Sequence, residues 1–298
     1  MTRSMWREQP VVFTCENNRL IGITTLPEHP VEIGIVIVVG GPQYRSGSHR
    51  QFTLLARQVA EQGIASFRFD YRGMGDSEGD VRNFENINED IRAAIDTFMT
   101  EVPQLRNIAI WGLCDAASAA LYYGHTDQRV SGLILLNPWV HSPEGAARAR
   151  LKYYYLTRLM QKSFWAKLAS GKMRVSSSLT ELAKSTAIAA LSGDSNSNNN
   201  APLDQRHGST GYINRMLEGF LGFRGLLFII LSGKDQTAQE FSSLIKSNNK
   251  WKKRCKESLV SIKTLDAANH TFSTSFWRYQ VGTWVIDWTK VNMLRLSD

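Results

Sequence analysis

Cysteine is scarce in this chain. Cys15, Cys114 and Cys255 are the three cysteines among 298 residues. They are odd in number and far apart, which excludes a disulfide-stapled scaffold and suits a reducing compartment. Long apolar runs are missing as well. The longest, Phe220 to Leu231, is interrupted by Arg224 and is too short to span a bilayer. The opening residues Met1 to Glu8 carry no apolar core of signal-peptide length. A soluble, cytoplasmic protein is the expectation. No His, Cys, Asp or Glu cluster has ligand spacing, so neither a metal nor another cofactor is expected.

Acidic residues are also absent from one long stretch. Between Gly145 and Arg174 there are eight Lys/Arg and no Asp/Glu, which equals the whole formal net charge of +8. A second basic cluster, Lys246 to Lys256, includes Lys250, Lys252, Lys253 and Arg254. No nucleic-acid motif accompanies either, so nucleic acid is not an expected partner. A weak membrane-surface contact through the first basic stretch is a further expectation, since its tyrosines and tryptophan suit an interface. With 43% hydrophobic and 21% charged residues the composition is ordinary globular.

The order of elements implies an α/β fold. Val11 to Phe13 and Leu20 to Ile23 read as antiparallel strands, and Ile33 to Val39 is the continuous β-branched run of a central strand. Phe52 to Gln62 repeats apolar residues at helical spacing, with Gly63 as its stop. Strands follow at Ile64 to Phe69, Ile108 to Trp111, Val130 to Leu136, Leu226 to Leu231 and Leu259 to Leu265, with a helix over Asn88 to Met99. This rhythm predicts a mostly parallel central sheet with helices on both faces. The core is expected over 10–139 and 223–298. The interval 140–222 breaks the rhythm and is expected to be a helical cap, carrying a flexible Ser/Asn-rich segment near 192–200.

The chemistry centres on Gly112-Leu113-Cys114-Asp115-Ala116, set between an apolar strand and an Ala-rich helix start. A nucleophile on so sharp a turn needs small residues two before and two after it, and Gly112 and Ala116 place Cys114 there. Asp115 lacks the small residue two before it, and Ser118 sits about a turn inside the helix. The helix N-terminus favours a thiolate, whereas the neighbouring Asp115 opposes one, so a base partner is needed. In this fold the chain order is nucleophile, acid, base. Asp235, just past a strand end, is the expected acid, with Asp266 as its rival; His270, in a late loop, is the expected base.

Acyl transfer also needs oxyanion donors. The backbone N–H of Asp115 is one. In Gly41-Pro42-Gln43 the proline has no N–H, which makes Gln43 the preferred second donor and Gly41 the reserve. Tyr44, Arg45 and His49 crowd the same loop as candidates for touching substrate. The Asp70 to Gly79 segment lacks both the GxGxxG order and the Walker lysine, and reads as a structural turn held by Asp70 and Arg72.

The Asp-x-Arg-Gly-x-Gly-x-Ser turn from Asp70 to Ser77, the elbow, Asp235 and His270 together resemble the α/β-hydrolase superfamily. The resemblance implies an α/β-hydrolase fold with an inserted cap. Cysteine at the elbow is similar to dienelactone hydrolases. The Gly40 to Arg50 loop, the Gly-Leu-Cys-Asp-Ala-Ala stretch and the Asn-His-Thr-Phe-Ser stretch more closely resemble the exosortase A system-associated hydrolases of the first subtype. That family is encoded with bacterial exopolysaccharide and exosortase loci. The implied activity is hydrolysis of an acyl ester or thioester, on a small-molecule or saccharide-linked substrate. Acyl transfer by the same residues, and non-catalytic binding on the same fold, are the alternatives.

Overall fold

The computed structural model describes residues 6–41, 43–140 and 209–293. Eight strands form one sheet: β1 (Trp6–Cys15), β2 (Asn18–Pro27), β3 (Ile33–Val38), β4 (Ala65–Phe69), β5 (Asn107–Leu113), β6 (Val130–Leu136), β7 (Leu226–Ser232) and β8 (Val260–Leu265). Their order is β1-β2-β4-β3-β5-β6-β7-β8. The β1–β2 and β2–β4 pairings are antiparallel, and every pairing from β4 to β8 is parallel. The reversed β2 follows from the tight Glu16-Asn17 turn, both residues at positive φ.

The helices are α1 (Gln51–Ala60), α2 (Asn88–Glu101), α3 (Asp115–Gly124), α4 (Ser209–Gly222), α5 (Gln236–Ser247), α6 (Asn249–Arg254) and α7 (Ser275–Trp288). They cover both faces of the sheet. One apolar cluster joins Phe52, Leu55 and Val59 of α1 with Val281 and Val285 of α7 against Ile35, Ile37, Trp111 and Ile134. The other joins Ile91 and Phe98 of α2, Leu121 and Tyr123 of α3, and Phe241 of α5 against Val36, Ile110 and Leu135. Alternate residues of one strand thus feed opposite cores, which is why β3 is buried along its whole length and reads as one apolar run. Each fully buried Ile or Leu contributes about 1.5–3 kcal/mol before the entropy of ordering the chain is subtracted.

The eight-stranded sheet belongs to one compact unit, 1–142 with 210–298. Residues 141–208 lie outside the described residues, and with them the basic stretch and the Ser/Asn-rich segment. Helix α4, which the sequence reading places in the cap, packs on the core: Met216 and Phe220 are fully buried, and Phe220 stacks on Trp251 with ring centroids 4.6 Å apart. The basic cluster around α6 is likewise divided. Lys250, Lys252 and Lys253 are exposed, whereas Trp251 is buried and Arg254 points inward, donating to the carbonyl oxygens of Phe220 and Phe223. No helix among the described residues is long and apolar enough to cross a membrane.

Candidate active site

The C-terminal ends of the parallel strands bring the site together. Cys114 follows β5 and starts α3, with φ 63° and ψ −123°, backbone angles that few non-glycine residues adopt. The surroundings hold it there. Its N–H donates to the Leu136 carbonyl at 2.9 Å, and its carbonyl accepts from Ala117 at 3.1 Å and Trp139 at 3.2 Å. Gly112 is required by the same geometry, because a Cβ at that position would lie 2.5 Å from the Ala116 backbone. Ser118 is fully buried and donates its hydroxyl to the Trp139 carbonyl at 2.9 Å, so it takes no part in the cleft.

His270 Nδ1 lies 2.9 Å from Asp235 Oδ2. The contact with Asp235, and then that with Cys114, push the histidine's pKa from 6.5 up to about 10, against burial, which opposes the charged form. Asp235 is itself fixed as the N-cap of α5, where the same Oδ2 accepts from the Ala238 N–H at 3.0 Å. Asp266, the rival acid, is exposed. Sequence reasoning missed the bracket behind His270. Asn137, fully buried at the end of β6, donates through Nδ2 to the His270 carbonyl at 3.0 Å and to Ser232 Oγ at 2.8 Å. Ser232 in turn donates to the Asn269 carbonyl at 2.9 Å. An asparagine directly after an apolar strand was the available signal.

The loop after β3 differs from the sequence reading at two residues. Gly41, the reserve oxyanion donor, already gives its N–H to Asp115 Oδ2 at 2.9 Å. Arg45, a candidate for touching substrate, pairs with fully buried Asp70 and lies 2.7 Å from Asp76. Both groups have intramolecular partners because the buried carboxylate of Asp70 and the half-buried one of Asp115 need donors. Gln43 turns its side-chain oxygen to the Ser48 N–H at 3.0 Å, while its own N–H meets no acceptor among the described residues. Tyr44 and His49 are exposed on the same loop. The Asp70 turn is structural: Asp70 Oδ2 accepts from the Asp76 N–H at 3.2 Å, and Arg72 forms a buried pair with Asp90 at 2.8 Å.

A separate cavity of about 410 Å³ opens between α1 and α7, lined by Gln51, Leu55, Trp111, Leu136, Phe272 and Tyr279 among others. Cys114 and His270 are not among its lining residues. Among the described residues no group of three or more His, Cys, Asp or Glu side chains is placed to hold a metal ion.

A parallel sheet with one reversed strand near its edge, a strained turn after β5, and an acid and a histidine on the loops after β7 and β8 define an α/β-hydrolase. The family model Hydrolase_4 (Serine aminopeptidase, S33) matches residues 32–272, and the chain belongs to that family. Among solved structures, an esterase of Pyrococcus furiosus is similar with a TM-score of 0.64 and 14% identity, over 97% of this chain and 94% of that one. Est1E of Butyrivibrio proteoclasticus, solved with ferulic acid bound, is similar with a TM-score of 0.61 and 13% identity, over 95% and 99% of the two chains. At these identities the likeness establishes the fold. Among curated proteins, a polyketide transferase of a Penicillium species is 32% identical over 92 residues, covering 30% of this chain and 31% of that protein. An uncharacterised Pseudomonas aeruginosa protein is 33% identical over 103 residues, covering 33% of this chain and 27% of that protein. The matches therefore span about a third or less of those relatives.

Proposed function

We propose that the protein hydrolyses acyl esters or thioesters through a covalent intermediate on Cys114. One observation carries this reading: His270 is hydrogen-bonded to Asp235 at 2.9 Å, and Cys114, on the strained turn after β5, is the next group after Asp235 that raises its proton affinity. With its pKa held high, His270 is an imidazolium at neutral pH and supplies the counter-charge for a thiolate. Asp235 keeps a proton on Nδ1, leaving the other ring nitrogen for Cys114.

The thiolate adds to the acyl carbon, and the carbonyl oxygen takes the negative charge beside the N–H groups of Asp115 and Gln43. Collapse breaks the bond to the leaving alcohol or thiol, which receives the His270 proton, and the acyl group remains as a thioester. Neutral His270 then removes a proton from an attacking water. The second collapse expels the thiolate and releases the carboxylic acid, restoring the starting pair. The Gly40 to Arg50 loop and the two flanking motifs support a narrower assignment, to cytoplasmic work on small-molecule or saccharide-linked acyl groups associated with bacterial exopolysaccharide and exosortase systems.

Acyl transfer is the second reading, favoured by the partial match to a polyketide transferase. The thioester would then pass to an alcohol or amine in place of water. The test is intact-protein mass spectrometry after a short pulse of p-nitrophenyl acetate, on the wild type, Cys114→Ala and His270→Ala. An acetyl adduct on Cys114 that is lost in both variants is expected. An adduct spread over Cys15 and Cys255, or one indifferent to His270, would overturn the scheme. Adding sugar acceptors then separates hydrolysis from transfer, according to which product forms faster.

A further inference from the structure

We propose that Asp115 is a positioning residue, whose carboxylate bridges the nucleophile turn to the loop after β3 and so holds the two sides of the oxyanion pocket together. The proposal rests on the Cys114 reading above and deepens it. The geometry is a two-sided bridge. Asp115 Oδ1 accepts from the Ala116 N–H on α3 at 2.9 Å, and Oδ2 accepts from the Gly41 N–H on the loop at 2.9 Å. Gly40 allows the approach, since a Cβ there would lie 2.3 Å from Asp115 Oδ1 and 2.7 Å from the Leu113 carbonyl oxygen.

A second carboxylate pins the other end of the same loop. Asp70, fully buried after β4, accepts the Arg45 N–H at 2.6 Å and pairs with the Arg45 guanidinium. Gly41 and Arg45 are thus both held, and three residues lie between them in the sequence. The middle residue is Gln43, whose N–H meets no acceptor among the described residues. The bridge therefore sets the distance between the Asp115 N–H and the Gln43 N–H. Charge-assisted hydrogen bonds to backbone N–H groups are about twice as strong as neutral ones, which suits a carboxylate to this task. Burial raises the pKa of Asp115, whereas the N–H groups of Gly41, Ala116 and Asp115 itself favour the charged form.

A negative charge so close to a developing oxyanion also repels it. Positioning and repulsion make opposite predictions for Asp115→Asn. The amide oxygen can accept one of the two N–H groups, but its NH₂ confronts the other, so the bridge is half broken and the charge is gone.

The experiment compares two reagents on Cys114. Iodoacetamide alkylates the thiolate by displacement at a saturated carbon and needs no oxyanion pocket; p-nitrophenyl acetate needs one. Asp115→Asn should alkylate within about threefold of wild type, yet acylate at least roughly tenfold more slowly, against the 10²–10³-fold typical of losing one donor outright. Asp115→Ser, smaller and able to accept one N–H, should show the same divergence and replaces Asn if that variant misfolds. Acylation unchanged or faster, or both rates falling together, would overturn the proposal. A wild type whose Cys114 is inert to both reagents would overturn the parent reading and this one with it. That outcome is distinct from failure of the proposal alone, where the wild type reacts with both reagents and the Asp115 variants follow it.

Discussion

The corners after β5 and β7 make an instructive pair. Each follows a parallel strand with an aspartate, half-buried Asp115 and buried Asp235, that accepts an N–H from the first turn of the following helix: Asp115 from Ala116, Asp235 from Ala238, at 2.9 and 3.0 Å. Their outward partners differ. Asp235 faces the His270 ring and raises its proton affinity; Asp115 faces the Gly41 N–H and fixes a loop. Position at a strand's end supplies a carboxylate in the right layer of the fold. What it does there is decided by the group a second, distant segment brings to it.

The largest effect should come from breaking the β7 corner while sparing its fold. In Asp235→Asn the side chain still caps α5, since asparagine is among the best N-caps, so melting should change little. The amide can no longer hold the His270 tautomer, and turnover of p-nitrophenyl acetate should fall on the order of 10³–10⁴-fold. A variant with near-normal turnover would make the two corners equivalent and place the acid elsewhere.

A smaller effect, and one on the other corner, is expected from Gly112→Ala. The new Cβ would lie 2.5 Å from the Ala116 backbone and 2.7 Å from the Ala117 nitrogen, atoms that cannot rotate away. Overpacking of this kind costs about 1–3 kcal/mol, readable as a lower urea midpoint with an unchanged slope. Because the displaced turn carries the Asp115 and Ala116 N–H groups, acylation should slow more than alkylation. Equal slowing would mean that the turn tolerates the shift and only the thiol is disturbed.

Much of this contrast is legible in the sequence. The alternation of β-branched runs with helical spacing specifies the layers, and the small residues around Cys114 specify the turn. Chain order points to Cys114, Asp235 and His270, and the last two are hydrogen-bonded at 2.9 Å. Gly41 and Arg45 depart from the sequence expectation for a shared reason. Both are loop groups whose partners, Asp115 and Asp70, lie 74 and 25 residues away. Spacing along one segment reports which face a side chain occupies, but not which distant group takes its hydrogen bond. Asn137 and Ser232 were missed likewise, since their pairing spans 95 residues. In the Lys246 to Lys256 cluster, charge concealed the inward-facing Trp251 and Arg254.

The most delicate expected effect sharpens the comparison through pH. His270 has a pKa raised from 6.5 to about 10 in the fold, so the folded state binds its proton more tightly than the unfolded chain does. The associated stability is fully present below about pH 6.5, where both states are protonated, and is lost progressively as pH rises through about 10. The melting-temperature difference between the wild type and His270→Ala should therefore be widest near pH 6 and narrow toward pH 10. The His270 side chain is 36% exposed, so screening keeps the effect small. The Asp235→Asn variant should abolish most of that pH dependence, because Asp235 is its leading cause. Asp115→Asn should leave most of it intact, since that carboxylate is turned to backbone N–H groups. If both variants flattened the curve equally, the two aspartates would share one electrostatic role, and the division drawn between the corners would fail.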